Sequence, residues 1–149
     1  MTDATALIEA LDLAPHPEGG WFRETVRHAA PGADPGARGL ATAILFLLEA
    51  AQRSHWHRVD AAEIWLWHAG DPVVLEMSPT GDGPIEQVTL GPDVLAGDEV
   101  QMIIPPGCWQ AAHTAPGATA GYALVSCIVS PGFDFAGFTL AAPDWAPGQ

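Results

Sequence analysis

The chain has 149 residues, enough for one domain with its own hydrophobic core and too few for two, so residues 1–149 are expected to form a single domain. Eighteen acidic residues stand against five basic ones, all arginine, and the net charge of −13 argues against nucleic-acid backbones and anionic membrane surfaces as partners. Cys108 and Cys127 are too few for a disulfide framework, no stretch reaches the roughly 18 apolar residues of a membrane span, and the N-terminus lacks a secretory pattern; a cytoplasmic protein is expected, with the pairing of the two cysteines left open.

The first predicted element is a short helix from Thr2 to Leu13, capped by Thr2 or Asp3, with Leu7, Ile8 and Leu11 at helical spacing. Pro15 and Pro17 end it. His16 to Gly20 reads as a turn whose paired glycines imply special backbone angles or a close approach. A strand follows, with Trp21, Arg23 and Thr25 on one face and Phe22, Glu24 and Val26 on the other. Residues 29–39 are rich in Ala, Pro, Gly and Asp, as a surface loop would be. Ala41 to Glu49 is a nearly continuous apolar run that fits a helix or a buried strand.

The next stretch carries the chemistry. If Ser54 to Val59 is a regular strand, His55 and His57 point to one side with Trp56 between them pointing away. Arg58 to Ala62 suffice for a turn, and a strand beginning at Glu63 brings a carboxylate back beside the two imidazoles. Such a set suits Zn, Fe, Ni, Mn or Co, and three protein ligands leave positions open for a substrate. His68 alternates away from Glu63 and is expected to face outward. Strands are then predicted over 73–77, 85–90, 100–104 and 121–129, separated by Gly, Pro and Asp at about ten-residue intervals, the pattern of a sandwich or jelly roll.

The order His55, His57, Glu63, Gly70 resembles the first motif of the cupin superfamily, and Pro105-Pro106-Gly107-Cys108-Trp109-Gln110 resembles the second, with Gln110 where that motif has a histidine. Glu18-Gly19-Gly20-Trp21-Phe22 and Ser130-Pro131-Gly132-Phe133-Asp134-Phe135 extend the likeness to a small single-domain cupin group of largely unassigned function, from about Leu13 to Leu140. The resemblance implies an all-β fold, a cupin-type double-stranded β-helix or jelly-roll barrel with a short N-terminal helix, in which Ala41 to Glu49 is a strand. It also implies a homodimer and a divalent transition metal (Zn, Fe, Ni or Mn) held by His55, His57, Glu63 and Gln110. His113, three residues beyond Gln110, falls on the opposite strand face.

Six tryptophans are many for this length. Trp65 and Trp67 share a face with Glu63, and Trp109 lies beside Gln110, so these three are candidates for the wall of a ligand pocket. Arg23 could bind a ligand carboxylate if its face looks into the barrel, or pair with Glu18 or Glu24 at the surface. No nucleophile elbow or phosphate loop is present. Three functions follow: a metal-dependent enzyme on a small polar or sugar-like metabolite; a metal-free isomerase or epimerase in which His57 and Glu63 are acid and base; or a non-catalytic small-molecule-binding protein.

Overall fold

The computed structural model describes residues 3–149. The helix α1 (Ala4–Ala10) begins where the Asp3 carboxylate accepts the Thr5 N–H at 3.0 Å. Thr2, the alternative cap, lies outside the described residues. Leu7, Ile8 and Leu11 pack on Leu13, Leu47 and Tyr122, so the helix caps one corner of the sheet structure without entering it.

The remaining elements are strands: β1 (Ala14–Pro15), β2 (Trp21–His28), β3 (Ala41–Glu49), β4 (Arg53–Val59), β5 (Ala62–Gly70), β6 (Val73–Ser78), β7 (Glu86–Leu90), β8 (Gln101–Ile104), β9 (Trp109–Thr114), β10 (Tyr122–Ser130) and β11 (Phe138–Leu140). They form two antiparallel sheets, ordered β1-β2-β3-β10-β5-β8 and β11-β4-β9-β6-β7. Consecutive strands β4 and β5 lie in different sheets, which is the jelly-roll crossing. The apolar run that periodicity left ambiguous is β3, paired on both sides by β2 and β10. Strands β1 and β11 go beyond the strand segments read from the sequence, and β9 is the strand that carries Gln110 and His113.

Inward-facing residues of both sheets make one core, with Phe46, Trp65, Val73, Leu75, Leu90 and Ile104 almost fully buried. This apolar half fills the barrel from the β6–β7 side. Towards β2, β4 and β11 the interior is left open.

The paired glycines serve a close approach. Gly19 has φ +106°, and a Cβ there would lie 1.9 Å from the Arg53 carbonyl oxygen; Gly20 (φ +81°) presses on the Leu47 carbonyl. The turn is closed by the Gly19 N–H on the His16 carbonyl at 3.0 Å and the His16 N–H on the Gly20 carbonyl at 2.9 Å. Gly19→Ala is therefore expected to cost on the order of 3 kcal/mol in urea unfolding. Gly32→Ala, with similar positive φ (+73°) but nothing within 4 Å, is expected to cost about 1 kcal/mol.

Candidate active site

Pairing between β4 and β9 sets the site. Ser54 lies opposite Ala112 and His57 opposite Gln110, three residues against two, so β4 carries a bulge at His55 and Trp56. The bulge cancels the alternation between positions 55 and 57. His57 turns into the barrel and is 2% exposed. His55 instead turns out, its Nε2 2.8 Å from the Ala142 carbonyl, while Trp56 is buried edge-on against Trp145.

The turn pinned by Gly19 delivers Glu18 to the space that His55 was expected to occupy. The Glu18 carbonyl accepts the His55 N–H at 2.8 Å, and its side chain accepts the Ser54 hydroxyl at 2.8 Å. Glu18 Oε2 lies 3.1 Å from His57 Nε2. On the far side of the ring, His57 Nδ1 is 2.7 Å from the His55 carbonyl, an acceptor only, so Nδ1 carries a proton and the neutral ring turns a bare Nε2 to Glu18. His16 Nδ1 accepts the Glu18 N–H at 3.1 Å and joins the cluster.

Burial dominates the electrostatics. Glu18 is pushed up to about 8 by loss of water, against the pull of the Ser54 hydroxyl. Glu63 is raised to about 7, again mainly by burial, with the His57 charge opposing and Glu18 reinforcing the rise. His16 falls to about 4 through burial and the nearby His57. For His57 burial also lowers the value, against the attraction of Glu63. Near neutrality the coupled Glu18–His57 pair is therefore a carboxylic acid donating to a neutral imidazole, and Glu63 sits close to its own midpoint.

These groups form the floor of a pocket of about 620 Å³, its open mouth included. The wall is phenylalanine: Phe22, Phe133, Phe135 and Phe138, with Phe138 5.6 Å from the His57 ring. Phe133 and Phe135 come from the segment between β10 and β11, and Phe138 opens β11. Arg38 ties that segment down, its Nε donating to the Gly132 carbonyl at 2.6 Å and its two terminal nitrogens to Asp60.

The expected tryptophan wall is elsewhere. Trp65 is part of the filled core, and its indole N–H donates to Gln110 Oε1 at 2.8 Å. Trp67 donates to the Asp71 carbonyl at 3.0 Å. Trp109 packs on Trp145 under Arg58, on the other face of β9 from Gln110. Arg23 is exposed and bonded to the Leu11 carbonyl at 2.7 Å, away from the pocket. His113 meets Arg53 and Glu76 at the surface, and His68 bonds Ser126 on the outer face of its sheet. Both cysteines are buried and unpaired.

The four-residue metal set does not fit this geometry. His55 is committed to Ala142, and the Gln110 oxygen, the atom a metal would need, already accepts from Trp65. Among the described residues no three His, Cys, Asp or Glu side chains are grouped to hold an ion. His57 and Glu63 do share the pocket, joined by His16 and Glu18, which the sequence reading did not assign to it. The one signal for Glu18 was its place before two glycines.

A family model described as "Cupin superfamily (DUF985)" matches residues 5–141. A hypothetical protein from Leishmania major is 35% identical, over 95% of this chain and 88% of that one, with a TM-score of 0.84. A protein from Shewanella oneidensis is 37% identical over 95% of this chain and 86% of its own, with a TM-score of 0.85. Oxalate decarboxylase from Bacillus subtilis shares the fold alone: 14% identity, TM-score 0.60, over 88% of this chain and 31% of that chain. No curated protein matches. No helix among the described residues is long and apolar enough to cross a membrane.

The buried carboxyls make stability depend on pH in a defined direction. A carboxyl that titrates at about 8 when folded and at 4.5 when unfolded holds its proton more tightly in the fold, so stability falls as pH rises through that window. Glu18→Gln keeps a donor towards His57 and an acceptor for Ser54 but cannot ionise. Its stability relative to the unsubstituted protein is expected to improve by on the order of 1 kcal/mol per pH unit between pH 5 and 8, read by urea unfolding at each pH.

Proposed function

The chain belongs to the DUF985 family of the cupin superfamily, and on that basis we propose that it is a metal-independent acid–base catalyst moving a proton at a carbon next to a carbonyl in a small metabolite. The observation that carries the reading is the 3.1 Å contact of His57 Nε2 with Glu18, a shared proton held in the same pocket as a second carboxyl, Glu63, poised near neutrality. Two titratable groups whose surroundings give them different protonation at one pH are the ordinary means of assigning base and acid.

In this reading Glu63, in its ionised fraction, removes the proton from carbon. The electron pair moves to the carbonyl oxygen. The proton held between Glu18 and His57 passes to that oxygen to give an enol; Glu63 then gives its proton back to carbon while an enol O–H returns a proton to the Glu18–His57 pair, which leaves an isomer or epimer and restores both carboxyls. The phenylalanine wall excludes water and binds the apolar part of the ligand. His57 and Glu63 thus keep the roles that their spacing suggested, with no step through a metal.

The same proposal includes a homodimer. Strand β2 is exposed over six of its eight residues and its outer neighbour β1 pairs only at Trp21 and Phe22, so most of its edge is open to a second copy. A cytoplasmic location fits the two buried, reduced thiols.

The test is proton exchange in D2O over a panel of small aldehydes, ketones and 2-oxo acids, followed by NMR. Exchange above the buffer rate is expected for at least one, to fall roughly 100-fold or more in Glu63→Gln, and to survive a chelator. A compound that binds in the pocket with an acidic carbon yet keeps its proton would instead mark a binding protein. The rate is expected to follow a bell in pH, rising as Glu63 ionises near 7 and falling as Glu18 loses its proton near 8.

A further inference from the structure

The pocket rim carries a feature that the proton chemistry does not use. In the pairing of β2 with β3, Glu24 lies opposite Ile44 and Val26 opposite Ala43, so Thr25 is an extra residue in a second bulge. In an unbroken strand Arg27 would share a face with Arg23 and Thr25. The bulge turns it to the side of Glu24, Ile44 and Thr42, all of which line the pocket. Arg27 is the one arginine among the described lining residues.

Its guanidinium is held in place without being used up. Nε and Nη2 donate to the two Glu24 carboxylate oxygens, each at 2.9 Å, and Nη1 donates to the Phe133 carbonyl at 3.0 Å. Three of the five N–H groups of an arginine are thereby committed, leaving one on each terminal nitrogen. The side chain is 46% exposed, so those donors can be reached from the mouth. The bond to Phe133 fixes them beside the aromatic wall, where Phe135 stands 60% exposed.

We infer that the pocket selects a small molecule with an apolar, aromatic body and a carboxylate, the body lying on the phenylalanine wall and the carboxylate taken by the two free N–H groups of Arg27. The inference rests on the pocket being the ligand site proposed above and names the class of its ligand. The acidity of the chain does not oppose it: in physiological salt, charges beyond about 8 Å are screened. The floor carboxyls are pushed by burial towards their neutral forms, so an anion entering the mouth does not meet two full charges. Glu24 cancels the single charge of the guanidinium, so the ligand carboxylate is taken by the two remaining N–H donors and not by a net positive charge. Charge-assisted bonds from a preorganised guanidinium commonly change affinity by roughly tenfold or more.

Phenylpyruvate and phenylacetone form the matched probes, alike in ring and carbonyl and differing in the carboxylate. With the full chain, calorimetry is expected to show phenylpyruvate binding at least ~10-fold more tightly than phenylacetone, with the preference lost in Arg27→Met and only partly kept in Arg27→Lys, whose point charge lacks the fork. Equal affinity for the two probes in the unsubstituted protein, or no binding of phenylpyruvate, would overturn the inference whatever the variants do. Benzylic proton exchange above the buffer rate separates this from the catalytic reading. Arg27-dependent binding without exchange would sink the acid–base reading and keep this one; equal binding and equal exchange of both ketones would do the reverse.

Discussion

The docking of the Glu18 turn against β4 is the contact on which the interior depends. It joins three scales of structure: a glycine at position 19 that has no side chain to clash with the Arg53 carbonyl, a backbone bond from His55 to the Glu18 carbonyl, and a side chain that meets Ser54 and His57. A buried carboxyl in an apolar barrel costs several kcal/mol if it is charged and alone. Here it is neutralised by its proton and bonded on both oxygens, and no buried polar side-chain atom among the described residues lacks a partner. The polar cluster is thus compatible with the packed core beside it, and that core confines the cluster to one end of the barrel.

The sequence made the framework legible and the site only partly so. Alternation along β5 holds from Glu63 to Trp67, with Glu63 and Trp65 buried on one face; His68, which faces out, is the extra residue where β5 shifts register against β10. The turn chemistry of Gly, Pro and Asp separates the strands as expected, and the motif spacing identified the barrel. What failed was alternation in β4 and β2, where one additional residue shifts every later side chain to the other face. A bulge is extra only in relation to the partner strand, so no property of His55, Trp56 or Thr25 announces it. The first bulge removes His55 from the pocket; the second turns Arg27 to the pocket side, while Arg23, which precedes it, faces away from Phe22 and Glu24 in any case.

Trp65 and Gln110 illustrate a different limit. Both lie where motif spacing put them, and both are almost fully buried, yet they bond to one another. A residue type offers several partners, and which one it takes is decided by packing across sheets that a linear pattern does not contain. Glu18 and His16 escaped notice for the same reason: they belong to a turn, and only the fold of that turn onto β4 gives them a shared neighbour in His57.

The phenylalanine wall has an origin separate from the floor of His57 and Glu63. His57 and Glu63 stand on β4 and β5, whose pairings with β9, β10 and β8 involve much of the barrel. Phe133 and Phe135 stand on a short connection fastened mainly by Arg38, Asp60 and Arg27. Changes of side-chain size in that connection alter the width and shape of the cavity while leaving the sheet ladders intact. A lineage carrying this architecture can accordingly diversify the shape of its cavity without rebuilding the buried polar cluster beneath it, so family members with the same floor need not share a ligand.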